Sequence, residues 1–445
     1  MSFRWPEEIL LNPAWPQVDR ERLTELVSEI RKTHPLPNHL WVASSGSSAR
    51  SLSDVKMIAL SQDALLASAR AVNVHLQSDS SDCWIQALPG FHVGGLGIDI
   101  RAHLSGSRVV SLSGKWSAEK FYDLCESINE RSNFSAGNIL SALVPTQIYD
   151  LIQLQKTAPK SLRAIVVGGA ALDEKIYFKA RELGWPLLPS FGMTECCSQV
   201  ATASLSSLDQ ISNNPSEKKS NLVVSLPNLQ VLPHVQVKME LNNKLCIQSP
   251  SLLTGYAQWQ DGKAVYLSLS DLASSNGLDR DWFQTEDLVE IVTASGESLI
   301  RNSKETVPNA VSKDIFLKPL GRDSDFVKIL GEGVSLSVIR KKWQTTAEVI
   351  LQDTKKNMKM DTQNFSAELQ SMTVIALPDE RQGSYLCAVA PSAMLSDEIA
   401  EKILSKYNQQ AVAYERIRKV VLLDQIPRTD LGKIAFEKLK SIITE

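Results

Sequence analysis

The sequence predicts an α/β protein whose large N-terminal domain contains a doubly wound parallel sheet. Between residues 57 and 189, short apolar runs typical of buried strands alternate with segments of helical period. This alternation is typical of right-handed βαβ units, which place helices on both faces of a parallel sheet. Shorter β-type runs then predict a β subdomain over about residues 221–292. Alternating strand and helix patterns in residues 322–445 predict a small α+β domain, after a large domain over residues 1–321.

The individual elements follow from apolar spacing and turn signals. Asp19 is predicted to cap a first helix that ends near Lys32, because Leu23, Leu26, Val27 and Ile30 share one face. The predicted strands of the large domain are residues 40–43, 57–60, 83–88, 108–112, 139–144, 162–167 and 185–189, and its helices are 61–76, 95–104, 117–130, 146–155 and 173–183. Further strands are predicted at 221–224, 235–241, 245–248, 264–269, 373–377, 385–390 and 418–423.

Composition excludes several classes of protein. The chain has 445 residues, a net charge of -3 and interspersed acidic and basic residues, so no basic field indicates a nucleic acid partner. No apolar run reaches the ~18 to 20 residues that cross a bilayer. The six cysteines are scattered without CxxC or Cys/His ligand spacing, and no apolar N-terminal signal segment is present. These features predict a reduced, cytoplasmic protein without structural zinc.

A phosphate-binding loop is predicted after the apolar run at residues 40–43. There Ser44-Ser45-Gly46-Ser47-Ser48 offers hydroxyl groups and backbone N–H groups that can surround phosphate oxygens. It is not a Walker loop, because Gly-Lys-Ser/Thr is absent. An ordinary polar loop is the alternative interpretation of the same residues.

A second candidate segment, residues 190–199, follows the predicted strand at 185–189. We expect it to be a loop at the carboxyl end of a parallel strand, where open α/β sheets bind ligands. Phe191, Gly192, Thr194 and Glu195 could supply a stacking face, a close backbone approach, a phosphate hydrogen bond and an oxygen ligand for Mg²⁺. The alternative is an ordinary polar turn.

The motif Ser190-Phe191-Gly192-Met193-Thr194-Glu195 resembles the Tyr-Gly-Met/Leu-Thr-Glu signature of the AMP-forming acyl-CoA synthetase and adenylate-forming ligase superfamily. The resemblance extends from about residue 40 to the C-terminus. The neighbouring Cys197-Ser198-Gln199 and the upstream Leu143-Val144-Pro145-Thr146-Gln147 are most similar to the o-succinylbenzoate:CoA ligase branch. The other segments that match in the family's order are Ser44 to Ser48, Phe91 to Gly95, Gly168 to Ala170, Trp282 to Asp287 with Arg322, and Pro427 to Lys433.

The resemblance implies roles for individual residues. Glu195 would hold Mg²⁺, and the catalytic residues would be Lys433, Thr194, Glu195 and His92. Asp287 would accept hydrogen bonds from the ribose hydroxyls. The nucleotide-binding residues that it implies are Ser44, Ser45, Gly46, Ser47, Ser48, Gly168, Gly169, Ala170, Ser190, Phe191, Gly192, Met193, Thr194, Asp287 and Arg322.

The activity that the resemblance implies is ATP-dependent ligation of a small carboxylic acid to CoA through an acyl-adenylate. ATP, Mg²⁺ and CoA are the cofactors, and rotation of the C-terminal domain about a hinge near Ser324 separates the two steps. The sequence departs from the family pattern at Ala49 and Glu286, which replace glycines, and in its short region before residue 44. A non-catalytic adenylate-binding protein and an acyl-AMP ligase that loads a carrier protein remain alternatives. The acid and the oligomeric state stay open.

Overall fold

The computed structural model describes residues 3–43, 55–131, 138–209, 225–239, 244–293, 315–322, 325–329, 332–355, 369–379, 383–429 and 432–444. Within these residues the α-helices are α1 (Gln17–Thr33), α2 (Gln62–Leu76), α3 (Val93–Ser105), α4 (Ala118–Arg131), α5 (Pro145–Gln153), α6 (Glu174–Glu182), α7 (Leu269–Ser275), α8 (Leu336–Lys355), α9 (Asp397–Gln410) and α10 (Phe436–Thr444).

The strands within the same residues are β1 (Ile9–Leu10), β2 (His39–Ala43), β3 (Met57–Ser61), β4 (Cys83–Gln86), β5 (Arg108–Ser111), β6 (Ile139–Leu143), β7 (Leu162–Val167), β8 (Leu187–Met193), β9 (Ser198–Thr202), β10 (Leu229–Val231), β11 (Gln236–Met239), β12 (Lys244–Gln248), β13 (Gly255–Gln260), β14 (Lys263–Ser268), β15 (Phe283–Thr293), β16 (Ile315–Arg322), β17 (Phe326–Ile329), β18 (Glu332–Ser335), β19 (Thr373–Asp379), β20 (Gly383–Pro391) and β21 (Ile417–Leu423).

The chain divides into two compact units, and the change of unit falls between Leu320 and Gly321. In the first unit, the described strands include one long sheet in the order β11-β12-β15-β16-β10-β9-β8-β7-β6-β4-β5. From β8 to β5 neighbouring strands are parallel, whereas β9 runs antiparallel to β8. The sheet therefore has a parallel half and an antiparallel half that meet between β8 and β9.

Helices cover both faces of the parallel half. On one face, α2 and α3 pack in the same apolar core as Trp84 of β4 and Leu140 of β6. On the other face, α4, α5 and α6 pack in a core that includes Ile85 of β4 and Ile165 of β7. Successive residues of β4 thus enter opposite cores, as the two-residue period of a strand requires. The predicted α/β class is confirmed.

A second sheet of the first unit has the order β1-β2-β3-β13-β14. Helix α1 contacts β13 and β14 of this sheet, and Leu23, Leu26, Val27 and Ile30 of α1 are buried as predicted. The predicted cap was wrong, because the N-cap residue is Pro16 and Asp19 lies inside the first turn. The β-type runs after residue 225 are shared between the two sheets, since β11, β12 and β15 extend the long sheet and β13 and β14 join the second one.

The second unit contains the hairpin of β17 and β18 and a sheet of β19, β20 and β21. β19 and β20 are antiparallel, whereas β20 and β21 are parallel. Its main core lies between these strands and the helices α8 and α9, and includes Trp343 and Tyr407. None of the described helices in either unit is both long enough and apolar enough to cross a bilayer.

Candidate active site

The segment Ser190–Gln199 lies where the two halves of the long sheet meet. Ser190 to Met193 continue strand β8, Thr194–Cys196 form one turn of 3-10 helix, and β9 returns antiparallel from Ser198. The prediction of a ligand-binding loop over residues 190–199 was therefore wrong about the conformation of its first half, since pairing with β9 keeps these residues extended. The turn itself follows the carboxyl end of β8, at a point where strand direction changes. Ligands of open α/β sheets bind outside the carboxyl ends of the parallel strands.

The backbone of this segment is tightly constrained. A Cβ on Gly192 would lie 1.8 Å from the carbonyl oxygen of Ser198, so only glycine fits between β8 and β9 at this bulge. Cys197 and Ser198 have backbone φ values of 54° and 116°, which residues other than glycine rarely adopt. Such residues typically store about 1–3 kcal/mol of strain and cluster at functional sites.

Glu195 is held through both its main chain and its side chain. Its carbonyl oxygen accepts a hydrogen bond from the Leu253 N–H at 2.8 Å, and its Oε1 accepts one from the Tyr256 hydroxyl at 2.8 Å. Among the described residues no group of three or more His, Cys, Asp or Glu side chains could hold a metal. Mg²⁺ in nucleotide sites needs only one or two protein carboxylates besides phosphate oxygens and water. A single fixed carboxylate at Glu195 fits that requirement.

Asp287 and Glu195 both act on the buried thiol of Cys196. The pKa of Cys196 is raised well above its usual value by burial first, and then by the charges of Glu195, Cys197 and Asp287. Asp287 lies on β15 of the same long sheet, and its charge acts on Cys196 in the 3-10 turn. Glu286, the residue that departs from the family pattern, is exposed and forms an ion pair with Lys244 at 3.0 Å.

The glycine segment after β7 lies beside Ser190. A Cβ on Gly168 would be 3.6 Å from the carbonyl oxygen of Ser190, and the Oγ of Ser190 lies 2.8 Å from Oγ1 of Thr202. Gly169 has a φ of 84°, which a glycine adopts without strain, and Gly169 and Ala170 are exposed. An exposed backbone surface next to β8 therefore exists where the adenine-binding segment is predicted.

His92 precedes helix α3 at its N-cap position. Its ring lies 4.7 Å from that of Phe91, and Phe91, Phe191 and Met193 pack against the same apolar core. The segment that contains Phe91 and the segment that contains Phe191 therefore contact the same apolar core. The structure gives His92 a place at a helix start, and its catalytic role stays a prediction.

Arg101, in the middle of α3, is a residue of interest that the sequence interpretation missed. Its side chain is 1% exposed, and its Nη2 donates a hydrogen bond to the Oγ of Ser198 at 3.4 Å. Within the described residues its Nε and Nη1 have no hydrogen-bond partner. Burial lowers the pKa of Arg101 to about 10, so the side chain remains charged at neutral pH. An arginine between the apolar residues Ile100 and Ala102 of α3 was the available signal.

The other predicted site residues lie outside the described residues or belong to the second unit. Ser44, Ser45, Gly46, Ser47 and Ser48 lie outside the described residues. Arg322 ends β16 and belongs to the second unit, as Lys433 does. The hinge residue Ser324 is also outside the described part of the chain.

Lys433 follows a loop that is closed by its own hydrogen bonds. The Thr429 N–H donates to the Lys433 carbonyl oxygen at 2.7 Å, and the Lys433 N–H donates to Oγ1 of Thr429 at 3.2 Å. Arg428 donates from Nη1 to the carbonyl oxygen of Gly432 and from Nη2 to the Oγ of Ser371, each at 2.6 Å. The position of Lys433 in its unit is therefore set by the loop and by Arg428.

Comparison with known proteins supports the same interpretation. Residues 45–257 match the family model described as AMP-binding enzyme. The predicted resemblance is confirmed. The chain is 24% identical over 375 residues to a 2-succinylbenzoate--CoA ligase of Listeria monocytogenes, covering 84% of this chain and 64% of that protein. It is also 24% identical over 388 residues to an indoleacetate--CoA ligase of Aromatoleum aromaticum, covering 86% of this chain and 64% of that protein.

Solved structures share the fold. The o-succinylbenzoate CoA synthetase from Bacillus subtilis, in complex with its acyl-adenylate intermediate, aligns with a TM-score of 0.63 and 20% identity, covering 90% of this chain and 68% of that one. The same enzyme in complex with ATP and magnesium aligns with a TM-score of 0.61 and 19% identity, covering 91% and 70%. The chain thus has the fold of these enzymes, while it spans just under two thirds of the length of the curated relatives.

Proposed function

We propose that the chain is an ATP-dependent carboxylic acid:CoA ligase that acts through an acyl-adenylate. The observation that carries the proposal is the arrangement around the 3-10 turn after β8. Glu195 is held there by two hydrogen bonds, Asp287 is close enough to affect Cys196, and the exposed glycine backbone follows the neighbouring strand. These groups match the phosphate, ribose and base of one nucleotide. ATP and CoA are both cytoplasmic metabolites, so we place the reaction in the cytoplasm.

The proposed reaction has two steps. In the first, a carboxylate oxygen of the acid bonds to the α-phosphorus of ATP, and the bond from that phosphorus to pyrophosphate breaks. In the second, the thiolate sulfur of CoA bonds to the carbonyl carbon, and AMP leaves with the bridging oxygen. The carboxylate needs no general base, and the barrier is electrostatic because an anion must approach a polyanion. Fixed positive charge and hydrogen-bond donors answer that requirement.

Each residue then has a stated task. Glu195 would hold Mg²⁺, which neutralises charge on the phosphate oxygens. The hydroxyls of Thr194, Ser47 and Ser48 would donate hydrogen bonds to phosphate, and Asp287 would accept them from the ribose. The ammonium group of Lys433 would lie between the attacking carboxylate and the α-phosphate in the first step only. Movement of the second unit about residues near 324 would withdraw it before CoA attacks.

Arg101 favours an acid that carries a second carboxylate. Arg101 is buried, and its Nε and Nη1 lack hydrogen-bond partners within the described residues. Each buried donor without an acceptor costs about 1–3 kcal/mol. A carboxylate that accepts from one of these nitrogens would remove part of that cost. o-Succinylbenzoate has one carboxylate on its ring and another on its side chain, so one could bind Arg101 while the other reacts. We therefore propose o-succinylbenzoate or a related aromatic keto acid as the substrate.

The test is acid-dependent release of pyrophosphate, measured on a panel of acids with and without CoA. We expect the fastest turnover with o-succinylbenzoate, slower turnover with aryl acids that have one carboxylate, and the slowest with medium-chain fatty acids. Faster turnover of the fatty acids would contradict the substrate proposal. Pyrophosphate release without any CoA thioester would favour a carrier protein as acceptor, and no release with any acid would favour the adenylate-binding protein.

A variant sharpens the same test. Arg101→Met keeps a similar volume, so it should raise the KM for o-succinylbenzoate by on the order of 10-fold or more, since charged hydrogen bonds contribute about 1.5–3 kcal/mol. The KM for an aryl monoacid should stay within about twofold, because the reacting carboxylate does not need Arg101. Arg70→Met, which changes an exposed arginine of α2, is the control. Equal losses with both acids would show that Arg101 supports the fold instead.

A further inference from the structure

Tyr256 on β13 contacts the predicted metal ligand directly. Its side chain is 9% exposed, and its hydroxyl donates a 2.8 Å hydrogen bond to Oε1 of Glu195. An O–H group that donates to an ionised carboxylate forms one of the stronger hydrogen bonds in proteins. Tyr256 is 61 residues away from Glu195 in the sequence, so only the fold brings the two together.

The same short stretch also binds the main chain of Glu195. The N–H of Leu253 donates to the carbonyl oxygen of Glu195 at 2.8 Å, and the N–H of Thr254 donates to the carbonyl oxygen of Ala59 at 2.8 Å. Residues 253–256 therefore bind both the main chain and the side chain of Glu195, and they lie where β13 begins to pair with β3. A glutamate side chain is among those that lose the most rotamer entropy when they are ordered. The contacts with residues 253–256 supply that ordering.

The phenol ring is itself held in place by its neighbours. Tyr256 pairs with Ile58 across the antiparallel strands β13 and β3. The ammonium group of Lys56 lies 5.1 Å from the centre of the Tyr256 ring, within the range of a cation–π contact, and the Phe283 ring lies 6.5 Å away. A ring fixed on two sides can hold its hydroxyl, and hence the carboxylate, in one orientation.

We propose that Tyr256 is a positioning residue, whose hydroxyl binds one oxygen of Glu195 so that the other is directed to the Mg²⁺ of bound ATP. The proposal rests on the proposed function, since it assigns Glu195 to the metal. A carboxylate has two oxygens, and the hydrogen bond to Oε1 leaves Oε2 for the metal. Hydrogen bonds of this kind to ligating carboxylates typically change metal affinity or activity about 10- to 100-fold when they are removed.

The test compares Tyr256→Phe with Tyr266→Phe. Tyr266 lies on the adjacent strand β14, and its buried hydroxyl has no hydrogen-bond partner in the described part of the chain. Both variants lose one hydroxyl from the same sheet, but only the first loses a contact with Glu195. ATP binding is measured by calorimetry in EDTA and at several Mg²⁺ concentrations, alongside thermal melting and the Mg²⁺ dependence of ATP–pyrophosphate exchange.

We expect Tyr256→Phe to raise the Mg²⁺ concentration for half-maximal exchange by on the order of 10-fold. Its ATP affinity in EDTA should stay within about twofold of wild type, and Tyr266→Phe should match wild type throughout. Equal behaviour of the two variants would overturn the proposal, as would a loss of ATP affinity in Tyr256→Phe that is the same with and without Mg²⁺. The proposal would also be overturned if the ATP affinity of the wild type did not change with Mg²⁺ concentration. A wild type that binds Mg²⁺ and ATP together but never exchanges pyrophosphate would contradict only the proposed function.

Discussion

The two segments that carry the central predicted residues are built in different ways. Residues 190–199 are part of the long sheet, where β8 is paired on one side with β7 and on the other with β9. Residues 427–434 belong to the second unit, where an isolated bridge joins Arg428 to Ile434 and hydrogen bonds close the loop. Arg428 also binds Ser371, and Ile434 packs against the apolar core beside β19 and β20. The first segment is part of the long sheet itself, whereas the second is a loop held by contacts within its own unit.

This difference matches two kinds of task. In the proposed function Glu195 would keep one orientation, which its contacts with Leu253 and with Tyr256 of the other sheet support. Lys433 would be presented on a unit that approaches and withdraws, and the hydrogen bonds of Thr429 and Arg428 fix the shape of its loop within that unit. The comparison contrasts a residue held between two sheets with a residue held inside its own unit. Changes to each segment should therefore affect different steps.

The largest effect is expected for Lys433→Ala. Loss of the ammonium group should slow acyl-adenylate formation by on the order of 10² to 10³, which is typical for one electrostatic contact made in a transition state. ATP should still bind, because Lys433 is not among the predicted nucleotide-binding residues, and Thr194 and Asp287 lie in the first unit. Both half-reactions are measured separately, the first by ATP–pyrophosphate exchange and the second with synthetic acyl-AMP and CoA.

The second half-reaction of Lys433→Ala should run near the wild-type rate. Lys438→Ala, which changes an exposed lysine of α10, controls for the loss of a positive charge from the same unit. Equal losses in both half-reactions would contradict the alternation of the two units. The contrast between the two segments would then have no functional counterpart.

A smaller effect is expected for Asp287→Ala, on the side of the first unit. Without the carboxylate, two ribose hydroxyls lose their acceptor in a partly desolvated site, which should weaken ATP binding by roughly 1–3 kcal/mol. Glu286→Ala is the matched control, because its carboxylate is exposed and paired with Lys244. Calorimetry measures both affinities, and melting curves check the fold. A stronger loss in Glu286→Ala than in Asp287→Ala would reverse the assignment.

The sequence predicted the parallel half of the long sheet well, because its signals are local. Each apolar run such as residues 162–167 is bounded by turn residues, and each helix repeats its buried positions every three to four residues. The polar composition of residues 341–370 concealed helix α8, which nevertheless buries Ile339, Trp343 and Ala347 at four-residue spacing. The helix also buries Leu336, Ile350 and Leu351, so six apolar positions at helical spacing form its core face. The sequence interpretation missed this pattern among the polar residues.

The candidate site was predicted less completely, for a different reason. The short motif that contains Glu195 is visible in a sequence, and Asp287 lies on β15 of the same long sheet. The contacts that support the motif join residues far apart in the chain, such as Arg101 with Ser198 across 97 residues and Tyr256 with Glu195 across 61. No local pattern encodes such pairs. They depend on which strands become neighbours, as β3 and β13 do.

The smallest effect is expected for Arg428→Lys, which tests the local support of the second segment. Arg428 bridges the carbonyl oxygen of Gly432 and the Oγ of Ser371 through two nitrogens of one planar group. A lysine keeps the charge but cannot hold both acceptors in that geometry. The Lys433 loop should then sample more orientations, and acyl-adenylate formation should slow by about 10-fold, since one charged hydrogen bond contributes about 1.5–3 kcal/mol.

The second step of Arg428→Lys should be unchanged, because Lys433 is not needed there. Arg416→Lys, at an exposed arginine of the same unit, is the control and should leave both half-reactions at the wild-type rate. A loss confined to adenylation identifies Arg428 as the residue that positions Lys433, since a general weakening of the unit would lower both steps and the melting temperature together. If adenylation by Arg428→Lys matched that of Arg416→Lys, the hydrogen bonds of Thr429 alone would be sufficient to hold the loop.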